Sequence, residues 1–489
     1  MSFTLRRHRS APTASRRSAT ARAVSGLATL SAIALTLGVT SVTGPASAAP
    51  AERTLPSASP ALTAGIGERA ADPLPPTPGD FTGYGFDQCL APSQSAMDAW
   101  LRRSPFLAVG IYISGDSRAC RSQPNLTPQW IRTQLLKGWR LLPITLGPQA
   151  SCQPRFPRYS DDFKISPVKG KAGNYGEARK MARDSAASTV ADARALGIPA
   201  GSTLWYDLEG FDITNTACRE SALAFLSTWV TNVRRLGYVT GVYSSAGSGI
   251  KALDDARVNR PGSVTLPDRI WVARWDGVAN TSTSYLRPDG WMPGGRVKQY
   301  RGGHDEVWGK VRINIDSNFL DLGRGSVAPP ENHCGGVQVN FGRYGALKIA
   351  ASGESRRPGR LKALQCLLTE RGYFRGQVTG KYSAPLLDAV RRWKAARGQA
   401  TGDTWYPRDW MTLHGFGSSP VLKVGSAGPD VRRVQRAINS ANIGTKVPLH
   451  GTYDATTAAA VKTYQRRLKM PATGIVDGAT WGRIRAGAR

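Results

Sequence analysis

From residue 81 to about residue 325, apolar runs of strand length alternate with amphipathic stretches of helix length, and this alternation constrains the fold more than any other feature. "GYGFD" is followed by "SQSAMDAWLRR", whose Met97, Trp100 and Leu101 share a helical face. Next comes "FLAVGIYIS", a continuous apolar run suited to a strand buried on both sides. "NLTPQWIRTQLLKGW" offers Thr127 as N-cap and Pro128 at the first helical position, and "RLLPITLG" supplies the next strand. A long helix is expected over roughly residues 175–196, then the strand "STLWYDLEG", a helix near 218–236 and the strand "TGVYSS". Three more strands follow, "RIWVARWDG", "RVKQYRGG" and "VRINIDSNF", with little helical sequence between the last two. Repeated strand-helix units predict an α/β fold: a TIM-like (β/α) barrel over residues 80–325, with reduced late helices. A doubly wound sheet is the runner-up, but no Gly-rich phosphate loop follows the first strand.

Six arginines precede the apolar run "GLATLSAIALTLGV", which ends in "GPASA". That pattern describes a signal peptide over residues 1–48, cleaved after Ala48. The run is short of the ~20 apolar residues that span a bilayer, so a product released or held at the wall, with no membrane contact after cleavage, is expected. "SRRSAT" leaves the export route open between the general and twin-arginine systems. Loss of the leader takes the formal charge from +31 to +25. Outside the cell, such an excess points to wall phosphates and carboxylates rather than nucleic acid, or to a solvated basic surface. Six cysteines (89, 120, 152, 218, 334 and 366) suggest disulfides, with no metal-like spacing and no H-E-x-x-H. No metal or cofactor is expected, and the chain is read as a monomer.

Residues 49–79 are rich in Ala, Pro, Ser and Thr and read as a linker; "GRGSVAPPENH" opens a second, at 326–345. Beyond it lies an internal repeat of about 70 residues that pairs Gln365 with Gln435, Gly380 with Gly451, Trp393 with Tyr464 and Trp405 with Trp481. Two small three-helix domains are therefore expected, at 346–416 and 417–489. A Cys334–Cys366 bridge would be useful at that size. The repeated tryptophans and Tyr453 are read as core anchors rather than as exposed binding groups. The shared pattern of L-Q-x-x-L, a G-x-[FY] turn, A-V-x-x-[FY]-Q and a closing T-W resembles the peptidoglycan-binding domain 1 family and is fullest in the second copy. The resemblance implies wall targeting, with affinity resting mainly on residues 420–489.

"WYDLEG" places Asp207 and Glu209 one residue apart, where a strand would point both into one cleft. Asp87 closes the first strand and Asp316 lies within the last. Four carboxylates at the ends of three parallel strands would form an acidic bowl and raise at least one pKa, as a general acid requires. "GFD", "YDLE", "GVYSS", "WVARW", "KQY" and "INIDSNF", in that order, resemble the strand motifs of the family 25 lysozymes. "GYGFDQCLAPSQSAMDAW" and "WYDLEG" look still more like the actinobacterial glycoside-hydrolase-like domain related to that family. The resemblance implies Glu209 as proton donor, Asp207 as orienting or charge-stabilising group, Asp87 and Asp316 as floor, and Tyr243, Trp275, Gln299 and Tyr300 as sugar-site lining. His304, in "GGHDE", is read as a surface-loop histidine. The leading reading is a secreted muramidase-like hydrolase of peptidoglycan. A non-catalytic wall-binding or remodelling factor is the alternative, and a hydrolase of another surface polysaccharide is a third reading.

Overall fold

Each apolar run of the N-terminal region becomes a strand, and eight strands close on themselves in the computed structural model, which describes residues 74–444 and 446–489. The expected leader, and the expected linker up to residue 73, lie outside the described residues. The strands are β1 (Phe81–Asp87), β2 (Ala108–Ser114), β3 (Arg140–Thr145), β4 (Thr203–Asp207), β5 (Val239–Ser245), β6 (Arg269–Ala273), β7 (Gly295–Trp308) and β8 (Val311–Leu322). Helices follow the first five: α1 (Gln94–Arg103), α2 (Pro128–Leu136), α3 (Gly176–Ala195), α4 (Thr216–Arg235) and α5 (Lys251–Asn259). Among the described residues, no α-helix separates β6 from β7 or β7 from β8. Thr127 caps α2, accepting from the Trp130 N–H with Pro128 in the first turn, and Met97, Trp100 and Leu101 bury one face of α1.

One strand departs from the expected all-parallel order. Gly309 and Lys310, both at positive φ (58° and 68°), join Trp308 to Val311. Two residues can connect only antiparallel strands, and this backbone geometry is that of a hairpin turn. β8 therefore runs antiparallel to both β7 and β1, and closes the barrel between them. Asp316 thus lies on an antiparallel strand, not at the end of a parallel one.

Large rings fill the barrel interior. Trp205 and Trp271 meet edge to face at 5.5 Å, and Tyr243 meets Trp271 in the same way at 5.5 Å. Gly241, paired with Trp205 across β4 and β5, makes the room: a Cβ there would lie 2.2 Å from the indole.

The C-terminal region holds α6 (Pro358–Glu370), α7 (Ala384–Ala395) and α8 (Pro407–Gly415), then α9 (Pro429–Ala441), α10 (Ala455–Arg467) and α11 (Gly478–Arg485). Two hydrophobic clusters occupy these two sets of helices. The repeat pairing has a physical basis. Gln365 accepts from the Gly380 N–H at 2.8 Å, and Gln435 accepts from the Gly451 N–H at 3.0 Å. Each glutamine also donates to the next carbonyl, of Lys381 or Thr452. Trp393, Trp405, Tyr453 and Trp481 are fully buried, as core anchors.

Residues 326–345 are not a free linker. Val339 and Tyr344 belong to the core of the first repeat, and Cys334 bridges to Cys366. Residues 74–79 also pack, with the buried Thr77 hydroxyl donating to the Leu141 carbonyl at 2.9 Å. The described residues belong to one compact unit. The second repeat seats against the N-terminal rim of the barrel strands. Lys423, 1% exposed, donates to the carbonyls of Ser104 (2.8 Å) and Phe106 (2.9 Å) just past the end of α1. Burial pulls the Lys423 amine well below the usual lysine range, and these carbonyls replace the hydration it has lost. The Ser326 hydroxyl links the same two parts, accepting from the Thr82 N–H and donating to the Gly425 carbonyl.

Two further disulfides, Cys89–Cys120 and Cys152–Cys218, tie down loops on the opposite rim, where β1 and β4 end in Asp87 and Asp207. Replacing both Cys152 and Cys218 by Ala opens a loop with a sequence separation of 66 residues. Calorimetry under non-reducing conditions should show a clear fall in the unfolding midpoint, corresponding to a loss of about 2–4 kcal/mol.

Candidate active site

Asp207 ends β4 directly above Trp205 and is buried. Its Oδ2 accepts from the Tyr112 hydroxyl at 3.1 Å, while its Oδ1 is buried without a partner. Glu209 does not share the strand with it, because β4 stops at Asp207. Gln149 sets the turn that follows, donating to the Asp207 carbonyl and accepting from the Glu209 N–H, both at 2.8 Å. Glu209 is half-buried and ion-paired, with Arg155 at 2.7 Å and Arg158 at 3.9 Å. The loop bearing both arginines is anchored by the Cys152–Cys218 bridge and by Gln153, which donates to the Gly210 carbonyl.

Asp87 faces Asp316 across the β1–β8 pair. Like charges in opposed positions repel, and the amide of Gln299 lies between them. Its Nε2 donates to Asp316 at 3.0 Å and to Asp87 at 3.2 Å, while its Oε1 accepts from the Tyr243 hydroxyl (3.0 Å) and the Trp275 indole (2.9 Å). Asn318 adds a 2.6 Å bond to Asp87 and accepts from the Trp271 indole at 2.8 Å. Gly110, opposite Asp87 on β2, leaves space that a Cβ would fill at 2.6 Å.

Burial, and then the Asp316 charge, push the Asp87 carboxyl up to about 8, against the opposing bonds from Asn318 and Gln299. Burial, and then the Glu209 charge, raise Asp207 well above the usual aspartate range, against the Tyr112 bond. Asp316 is raised chiefly by burial, opposed by the Gly303 N–H. Asp87 therefore holds its proton at neutral pH.

Two cavities meet at Glu209. The larger, about 480 Å³, is lined by Glu209, Arg155, Tyr243, Arg274, Trp275 and Tyr285 among others. The smaller, about 200 Å³, reaches Asp87, Asp316, Tyr112, Arg118 and Arg158. Trp275 is 65% exposed, and its ring covers Gly302, where a Cβ would lie 2.4 Å from it.

The structure thus gathers Asp87, Asp207, Glu209, Asp316, Tyr243, Trp275 and Gln299. Tyr300 is a correction: it is next to Gln299 on β7 and points to the other face, near Ser317, Tyr84 and Glu306. His304 is also corrected. It sits within β7 rather than on a loop, with Nε2 near Ser317 (3.2 Å) and Glu306 (3.3 Å). Sequence reasoning missed Tyr112, Gln149, Asn318 and the two arginines on Glu209. Asn318 was findable, being two residues from Asp316 and hence on the same strand face.

Residues 98–320 match the sequence profile of the Rv2525c-like, glycoside hydrolase-like domain, and residues 427–484 match that of a peptidoglycan-binding domain. An Rv2525c-like, glycoside hydrolase-like domain therefore forms the barrel. Its matched span starts within α1, so Asp87 precedes it. No curated protein matches the chain. The chain is similar to solved structures of an uncharacterized B. stearothermophilus protein (19% identity; 49% of this chain and 95% of that one; TM-score 0.29) and of the Mycobacterium tuberculosis Tat-secreted protein Rv2525c in complex with L-tartrate (13%; 50% and 98%; 0.32). It is also similar to the modular autolysin LytC from Streptococcus pneumoniae (12%; 49% and 46%; 0.31). The chain thus joins a glycoside hydrolase-like domain to a peptidoglycan-binding domain.

The proton on Asp87 has a signed consequence for stability. An unfolded aspartate ionises near 3.8, whereas folded Asp87 keeps its proton to about 8. Between those values the native state binds more protons than the unfolded chain, so stability falls as pH rises through the window and levels off above it. Asp87→Asn should flatten this slope. Thermal midpoints at pH 5, 7 and 9 should move in the variant's favour, relative to wild type, as pH rises.

Proposed function

We propose that the protein is a secreted cell-wall glycoside hydrolase of lysozyme type that cleaves the muramic-acid glycan bond of peptidoglycan, with the barrel as catalyst and the C-terminal repeats as wall-binding modules. The observation that carries this reading is the place of Glu209, a half-buried carboxylate shared by two adjoining cavities and set beside the buried Asp207. A sugar chain crossing from one cavity to the other would lay a glycosidic oxygen against it.

In this reading Arg155 moves off, the Glu209 carboxylate takes up a proton from water, and Glu209 then gives that proton to the leaving oxygen as the glycosidic bond breaks. Asp207 orients the substrate, through its N-acetyl group, and steadies the positive charge that develops at the sugar. Asp87 and Asp316 form the floor, and Gln299 fixes Tyr243 and Trp275 as the walls of the sugar site. Wall affinity is assigned chiefly to residues 427–484, which match the peptidoglycan-binding profile. The predicted signal peptide and the three disulfides support export to the cell surface or wall.

One observation favours a second reading, a wall-binding factor without turnover: Arg155 already holds the proposed donor as an ion pair. Digestion of purified wall separates the two. The hydrolase releases new reducing ends, and Glu209→Gln lowers the rate by about 10²- to 10⁴-fold while wall binding persists. If the wild type binds wall yet releases no reducing ends anywhere between pH 4 and pH 8, the binding factor is the correct description.

A further inference from the structure

The two repeats share a fold but treat one surface differently. In the first, the Trp410 indole donates to the Gly345 carbonyl at 3.1 Å; in the second, the Trp481 indole donates to the Pro420 carbonyl at 2.8 Å. By this bond Trp410, not Trp405, is the structural counterpart of Trp481. Two residues beyond those carbonyls, Leu347 pairs antiparallel with Trp405 and Leu422 with Val476. Lys348 and Lys423, which come next, therefore hold the same place. Lys423 is buried on carbonyls of the barrel, whereas Lys348 is exposed. The Gln365–Gln435 pairing likewise sets Arg360 against Asp430, and Asp430 is bound to Arg433 at 2.5 Å. The second repeat thus satisfies both positions within the molecule, while the first leaves two cations there.

Beside those cations lies a cavity of about 490 Å³, lined by Lys348, Arg356, Arg357, Tyr382, Glu354 and Asp403 among others. Arg360 joins Arg357 next to it. A Cβ at Gly345 would lie 3.1 Å from Arg360 Nη1 and 3.2 Å from Arg357 Nη1, so two guanidinium groups end beside one point. The Arg360 guanidinium lies 5.7 Å from the centre of the Phe341 ring, a contact that orients it and leaves its charge in place. Among the described residues, Lys348, Arg356, Arg357 and Arg360 form no ion pair and donate no side-chain hydrogen bond. Of the two acids in the cavity, Glu354 is paired with Lys381 at 2.7 Å and Asp403 accepts from the Thr404 hydroxyl at 3.0 Å. Burial, and then the Arg357 charge, lower the Arg360 guanidinium from the usual arginine range, as expected of like charges held together.

We infer that this face of the first repeat binds a phosphodiester polymer, with Arg357 and Arg360 gripping one phosphate and Lys348 and Arg356 meeting the next charge along the chain. The two free oxygens of a phosphodiester diverge tetrahedrally, so each can meet a separate guanidinium, whereas a carboxylate presents both of its oxygens to one fork. A polymer also suits cations spread along a cavity rather than gathered at one spot. The predicted leader and the large excess of cations make phosphate-bearing wall polymers the accessible partners. The face lies outside residues 427–484, which match the peptidoglycan-binding profile, and its role does not depend on turnover in the barrel.

Calorimetric titration of the full mature chain with poly(glycerol phosphate) tests this, with polygalacturonate as a carboxylate polymer and inorganic phosphate as the free ion. The phosphodiester polymer should bind at least about tenfold more tightly than polygalacturonate, a difference of ~1.4 kcal/mol. Replacing Arg357 and Arg360 together by Gln should weaken it at least about tenfold. Replacing both by Lys keeps the charge and removes the forks, and should still cost about fivefold. Lys462→Gln with Arg466→Gln, on the exposed side of α10, should change binding less than about twofold. Binding to peptidoglycan freed of phosphate polymers should survive in every variant. Equal affinity for the two polymers overturns the inference, as does a lysine pair that binds like the wild type. An equal loss in the α10 variant shows diffuse attraction to the whole basic surface and overturns it too. Tight binding of inorganic phosphate without the polymer makes this a free-phosphate site, and a parallel loss of peptidoglycan binding makes it part of the peptidoglycan site; either result sinks the proposal.

Discussion

The two-residue turn at Gly309 and Lys310 determines how the barrel closes. A chain reversed in two residues must return antiparallel, so β8 enters between β7 and β1 with the opposite direction to both. That reversal sets Asp316 opposite Asp87 and puts Asn318 against the same carboxyl. In a fully parallel barrel a crossover connection would have intervened, and β8 would have met β1 in a different register. The acidic floor is thus a product of strand direction as much as of residue type.

Amide side chains make the crowded carboxyls tolerable. Gln299 spends its two N–H groups on two acids and its oxygen on two aromatic residues, so one side chain ties the floor to the walls of the larger cavity. Gln149 does comparable work for the segment between Asp207 and Glu209 by clamping its backbone. Neither glutamine removes the cost of burial, which shows instead in the Asp87 and Asp207 carboxyls being pushed above the usual aspartate range. Glu209 differs from both in being half-buried and paired with arginine.

The C-terminal repeats are part of the same body rather than beads on a string. α9 is buried from Val431 to Ala441, with Arg433 reaching the carbonyls of His414 and Gly415 at the end of α8. On the other side, Lys423 fastens the second repeat to the end of α1. The two copies keep the same glutamine clamp on a glycine turn, although the residues around that clamp differ between them. The avidity of loosely linked modules is therefore replaced by a fixed offset between the peptidoglycan-binding domain and the rim that bears the carboxylates.

Much was legible in local pattern. The period of the apolar runs marked all eight strands, the Thr127–Pro128 pair marked a helix start, and the repeat showed through residues that do the same job twice. The four acids and most of their lining could be named because each sits on or beside a strand whose end is visible in sequence. Contacts that depend on distant loops could not be read. Arg155 and Arg158 reach Glu209 from a loop 50 or more residues earlier in the chain, and nothing in "CQPRFPR" announces it. Tyr300 and Gln299 are adjacent in sequence but face opposite ways, and only the register of β7 decided which one meets the acids. By itself the sequence determined the elements, the class of barrel and the identity of the acids, because hydrophobic period and turn chemistry act over a few residues. Only the tertiary structure decided the charge state of those acids, the partner of Glu209 and the seat of the repeats, because burial and ion pairing are set by groups that the chain brings together from far apart.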